Sequence, residues 1–118
     1  MADIDQIRVD GVDYNLKDAT AKTMSKTRQT VSSSSWSASA NADGFYTNTL
    51  TLSVGLDTSY APNVYISGSN DSTSPTDAQT SAYNLLDRAN LSASTTLVLY
   101  AKTKPTTTFY VYVEGLKA

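Results

Sequence analysis

Neither cysteine nor histidine occurs anywhere in the 118 residues. Without cysteine there is no disulfide framework and no thiolate chemistry. Without histidine the commonest general base and neutral-pH metal ligand is gone, and a Ser-His-Asp triad cannot be assembled. Charge is scarce as well: 17% of residues are charged and the net charge is −2, against a usual charged fraction of ~25%. A polyanion such as nucleic acid is therefore not an expected partner. No apolar run is long enough for a signal peptide or a membrane span, so the expectation is synthesis in the cytoplasm, no ordinary export and no membrane partner. The five glycines are scattered, which leaves no phosphate-cradling loop. The acids Asp43, Asp57, Asp71, Asp77, Asp87 and Glu114 fall mostly in expected loops or at helix ends, where turn and cap roles account for them. The oxygen-rich run Asn70-Asp71-Ser72-Thr73-Ser74 reads as a polar loop leading to a helix cap, lacking the dense acids of a calcium loop. These absences point away from an enzyme and give no call for a metal or cofactor.

What the chain does have is hydroxyl groups and period-two alternation. Near its end, residues 95–101 and 107–115 are two runs of β-branched and aromatic residues split by Lys104-Pro105, which reads as an antiparallel strand pair. In the second run Phe109, Val111 and Val113 share one face, and Tyr110, Tyr112 and Glu114 the other. Earlier, Tyr46, Asn48, Leu50, Leu52 and Val54 alternate within a strand over residues 45–54, and residues 63–67 form a short strand around Val64 and Ile66. A first strand is expected over residues 30–36, with Val31 and Trp36 as core candidates. Ala78, Ala82, Leu85, Leu86 and Ala89 fall on one stripe at helical spacing, which predicts a helix near 77–90, capped by Thr76 or Asp77.

The opening differs in kind. Asp3, Asp5, Asp10 and Asp13 are followed by Lys17, Lys22, Lys26 and Arg28, while Arg88 is the only basic residue between Gln29 and Ala101. Asp10-Gly11 between Ile7, Val9 and Val12, Tyr14, Leu16 is a strong signal for a type I′ hairpin, and residues 17–26 read as a short helix or linker. A two-stranded hairpin is marginally stable alone, so this one is expected to dock on its own domain or a neighbour. The fold class expected is mainly β, a β-sandwich or α+β arrangement: an N-terminal hairpin and short helix over residues 1–28, then a five-stranded domain with one helix over 29–118.

The aromatic side chains leave two readings open. Tyr60, Tyr65, Tyr100, Tyr110 and Tyr112 suit a glycan-stacking surface or a subunit contact. Tyr100, Tyr110 and Tyr112 in particular form one patch if the two last strands pair, to be covered either by the helix or by another subunit. Trp36 fits the core better than a sugar platform.

The stretch Ile7-x-Val9-Asp10-Gly11-Val12-x-Tyr14-x-Leu16-Lys17-Asp18-Ala19-x-Ala21 resembles the opening of many virion structural proteins of tailed phages and prophages of Gram-positive gut bacteria. Trp36, the run from Tyr46 to Val54, Val64-Tyr65-Ile66, the Ala/Tyr-containing helix and the closing pair are similar to a small domain found on head fibres, tail fibres and baseplate components. The resemblance implies a non-enzymatic virion protein made in the host bacterial cytoplasm. Ile7, Val9, Val12, Tyr14 and Leu16 would serve particle attachment or assembly. Its implied partners are other capsid, tail or baseplate proteins and copies of itself, a trimer being favoured, with a host-surface glycan as the alternative ligand.

Overall fold

The computed structural model describes residues 6–9, 12–15 and 23–118. Among the described residues the chain is mainly β, with one short helix. Two short strands, β1 (Gln6–Val9) and β2 (Val12–Asn15), pair antiparallel with Ile7 opposite Tyr14 and Val9 opposite Val12. The expected Asp10-Gly11 turn, Leu16 and most of the expected helix over 17–26 lie outside the described residues.

The main body begins with β3 (Met24–Val31), followed by β4 (Tyr46–Thr51), β5 (Asn63–Ser67), α1 (Asp77–Tyr83), β6 (Leu86–Ala93), β7 (Thr96–Ala101) and β8 (Phe109–Leu116). The strands form two antiparallel three-stranded sheets, ordered β3-β8-β5 and β4-β7-β6. Both contribute to a single buried cluster that includes Val31, Leu50, Leu52, Leu97, Leu99, Phe109, Val111 and Val113. This is a β-sandwich, and Trp36 belongs to its core.

The two runs at the end of the chain do not pair with each other. Each is instead the central strand of its own sheet. Leu97, Leu99, Phe109 and Val111 have no exposed surface and Val113 keeps 1%. A strand with one fully apolar face buries it best against a second such face, and stacking two sheets achieves that where side-by-side pairing would not. Residues 102–108 carry the chain from one layer to the other, with Pro105 buried in the crossing. Burial of each large side chain on these strands is worth roughly 1.5–3 kcal/mol, so the sandwich core is dominated by β7 and β8.

The helix is shorter than its apolar stripe predicts. It starts at a capping box, in which Thr76 Oγ1 accepts from the Gln79 N–H while Gln79 accepts from the Thr76 N–H, and it ends at Asn84. Residues 86–93 are strand β6, on the free edge of β7. Of the helix only Ala82 is buried, and Leu85 is exposed. A continued helix would leave the outward N–H and C=O groups of β7 without partners, and that ladder outweighs a propensity difference of a few tenths of a kcal/mol per residue. The body thus has six strands rather than five. Its first strand lies earlier than residues 30–36, crossing the composition change at residue 28.

Candidate functional site

The outward face of the β3-β8-β5 sheet gathers the main cluster of polar and aromatic side chains. Register fixes its rows, because residues directly opposite in an antiparallel pair share a face. Thr30, Tyr110 and Ser67 form one row, Arg28, Tyr112 and Tyr65 the next, and Lys26, Glu114 and Asn63 the third. The Tyr65 and Tyr112 rings lie 5.4 Å apart, inclined at 44°. The Lys26 ammonium stands 4.3 Å from the centre of the Tyr112 ring and 5.9 Å from that of Tyr65, and the Arg28 guanidinium lies 4.9 Å from Tyr112. Such geometry is favourable for a cation over a π face.

One loop reaches onto this face. Residues 68–73 turn back so closely that any side chain at Gly68 would run into the Thr73 carbonyl. Asn70 Oδ1 holds the turn, accepting from the Ser72 N–H at 3.0 Å and the Thr73 hydroxyl at 2.8 Å. The turn delivers Asp71 to the sheet, where its carboxylate accepts from Arg28 Nη2 and from the Tyr112 hydroxyl, the latter at 2.8 Å. Arg28 Nε donates to Ser67 Oγ at 2.9 Å, and Ser67 Oγ donates to the Gly68 carbonyl at 2.8 Å. The hydrogen bond from Arg28, followed by that from Tyr112 and the Arg28 charge, holds the Asp71 carboxyl below its ordinary range. The same bond to Asp71 raises Arg28. The oxygen-rich loop is thus a turn that places one acid, and Thr76, not Asp77, caps the helix.

The expected patch of Tyr100, Tyr110 and Tyr112 does not form. Because β7 and β8 lie in different sheets, Tyr100 is on the opposite outer face of the sandwich. There it meets Phe45 edge to face at 6.2 Å and the Arg88 guanidinium at 4.4 Å. The helix meets β8 at its Phe109 end, where Gln79 Nε2 donates to the Thr108 carbonyl. It caps the end of the core through Tyr83, whose ring packs edge-on against Phe109 at 6.3 Å. Tyr60 is 60% exposed and sits in the loop after Leu56, apart from the sheet rows. Tyr65, Tyr110 and Tyr112 are therefore the expected aromatic residues that come together. Lys26, Arg28, Ser67 and Asp71 complete the site; in the sequence Lys26 and Arg28 stand out only as part of a basic run and Asp71 only as a loop acid, and nothing there marks Ser67. The i, i+2 spacing of Lys26 and Arg28 was the available signal for two cations on one strand face, and it was hidden by the composition change just after them.

A separate cleft of about 240 Å³ lies where α1 meets the side of the sandwich, lined by Val64, Tyr83, Asn84, Leu86, Asp87, Arg88 and Ala89. Among the described residues no three His, Cys, Asp or Glu side chains converge as metal ligands, and no helix is long and apolar enough to cross a membrane. No protein-family model, curated protein or solved structure matches the chain.

Proposed function

We propose that this chain is a non-enzymatic structural module of a tailed-phage virion, a fibre, decoration or baseplate-associated part that is attached through its N-terminal segment and displays the sandwich. The observation that carries this reading is the separation of β1-β2 from both sheets of the body. A two-stranded sheet gains stability by docking on something larger, and among the described residues the body's own side chains form a buried core. The motif over residues 7–21 that resembles virion proteins lies largely on this segment. The reading implies partners among other virion proteins and copies of the chain itself. Immunogold electron microscopy of purified virions with antibody against this chain tests it: label at one defined location on the particle is expected, and particles free of label would sink the reading.

A host-surface glycan is the second reading, favoured by the Tyr65–Tyr112 pair with Lys26 beside it. Tyrosine rings offer the apolar faces of sugars a stacking surface, and the flanking Lys26, Asn63 and Glu114 supply hydrogen-bonding groups. Glycan-array binding is expected to fall several-fold with Tyr65→Ala or Tyr112→Ala, since one aromatic contact is worth about 1 kcal/mol. Tyr60→Ala and Tyr100→Ala are expected to leave it unchanged. Equal loss from all four substitutions would reject this face as the binding surface.

A further inference from the structure

The two three-stranded sheets present four edge strands, and a free strand edge invites pairing unless it is blocked. Three of the four carry a block. On β4, Ser37 takes both backbone groups of Thr47: its N–H donates to the Thr47 carbonyl at 2.8 Å and its Oγ accepts from the Thr47 N–H at 3.0 Å. On β5, the Tyr83 hydroxyl donates to the Val64 carbonyl at 3.3 Å. On β6, two register shifts interrupt the ladder, between Leu86 and Arg88 and between Leu91 and Ala93. The fourth edge, β3, runs eight residues in unbroken register with β8.

The direction of its backbone groups follows from one bond. The Lys117 N–H donates to the Thr23 carbonyl at 2.9 Å, and this pair continues the β3-β8 register by one step. Antiparallel ladders alternate bonded and non-bonded pairs. The odd residues of β3 therefore bond to β8, and Met24, Lys26, Arg28 and Thr30 turn their N–H and C=O groups outward. The same parity turns the Val64 carbonyl of β5 outward, where Tyr83 meets it. Among the described residues, no hydrogen bond reaches these outward groups of β3.

We infer that β3 is an acceptor edge for the β1-β2 hairpin of a second copy of this chain, with β2 pairing antiparallel to β3. This rests on the assembly role proposed above and names its contact. The two-residue connection between Val9 and Val12 makes that pair a bonded one, so Val12 and Tyr14 bond to β1, and Asp13 and Asn15 are the positions of β2 free to bond outward. Aligning Asn15 with Met24 places Asp13 opposite Lys26. That ammonium makes no ion pair among the described residues, whereas Arg28 already holds Asp71. Pairing β3 with the β3 of another copy is disfavoured, because the registers with most overlap set like charges opposite: one centred on Thr27 puts Lys26 against Arg28, and one centred on Arg28 puts that residue against its own counterpart. In the single chain the hairpin remains a separate sheet. Exchange between copies gives the hairpin a sheet to join and extends the receiving sheet from three strands to five.

Light scattering on the full chain over a concentration series, together with charge-swapped variants, tests this. The wild type is expected at a multiple of 12.6 kDa. Asp13→Lys and Lys26→Glu are each expected to weaken association by about tenfold, with circular dichroism unchanged. Lys26→Pro removes an outward N–H without touching a bond to β8, and is expected to dissociate the assembly while the sandwich stays folded. Mixing the Asp13→Lys protein with the Lys26→Glu protein sets Lys against Glu and Asp against Lys between copies, so the mixture is expected to recover wild-type association. A wild type that is monomeric at every concentration, or a mixture of the two variants that stays monomeric, overturns the inference. A monomeric chain that still labels virions overturns the exchange alone, and an exchanging chain that labels no particle overturns only the virion assignment.

Discussion

Replacing Gly68 by alanine tests how the loop delivers Asp71 to the sheet. A Cβ at this position would collide with the Thr73 carbonyl, a backbone atom that cannot rotate away as a side-chain tip would. The turn is further held by Asn70 Oδ1, so relief requires the whole of residues 69–73 to move outward. Overpacking of this kind typically costs about 1–3 kcal/mol, which for a domain of this size is a fall in Tm of about 4–20 °C. The displaced loop would carry Asp71 away from Arg28 and Tyr112. Thermal unfolding followed by circular dichroism gives the first quantity, and the NMR signal of the Arg28 Nη2 protons, which donate to Asp71, gives the second. Asp71→Asn should shift the Arg28 signal with a smaller loss of Tm, because the Asp71 side chain it alters is largely exposed to solvent. The reasoning is refuted if Gly68→Ala stays within about one degree of wild type, or if Asp71→Asn is the more damaging change.

Two further outcomes follow from the same structure. Leu99→Ala, at a position with no exposed surface in the centre of β7, should cost about 2–5 kcal/mol in urea unfolding, and a loss under about 1 kcal/mol would contradict the two-layer core. Acid should release the loop: because the Asp71 carboxyl is held below its ordinary value of 3.8, its contribution is complete above that pH and disappears as pH falls through the lower value of the folded state. The Asp71 carboxyl carbon, followed by NMR, should titrate with a midpoint below 3.8, and a midpoint at or above it would remove the Arg28 and Tyr112 hydrogen bonds from the account.

Much of the local structure was legible in the sequence because a strand repeats every two residues whatever it pairs with. The alternation of Phe109, Val111 and Val113 with Tyr110, Tyr112 and Glu114 marked β8 and its two faces, and Asn63–Ser67 was expected with the bounds it has. Asn48 shows the same rule applied to a polar residue: it lies in phase with Leu50 and Leu52 and is buried with them, its Nδ2 donating to the Ser32 carbonyl at 3.1 Å. Periodicity failed at residues 86–93, where Leu86 and Ala89 also fit a helical stripe and the unfilled edge of β7 decided for strand.

Pairing was the part that only the tertiary structure decided. Neighbouring strands in sequence usually pair, and β7 and β8 looked like a hairpin on that ground. Two fully apolar faces gain more by closing on each other than by lying side by side, so the strands became the centres of opposed sheets. That choice sent Tyr100 to one outer face and Tyr110 and Tyr112 to the other. It also set Lys26 and Arg28 beside Tyr112 and let Asp71, 41 residues from Tyr112 in sequence, bond to Arg28 and Tyr112. The amino-acid sequence determined which side of each strand is apolar, since that is a property of neighbouring residues. Which strands become neighbours depends on burial summed over the whole molecule, and the site on the β3-β8-β5 sheet exists only at that level.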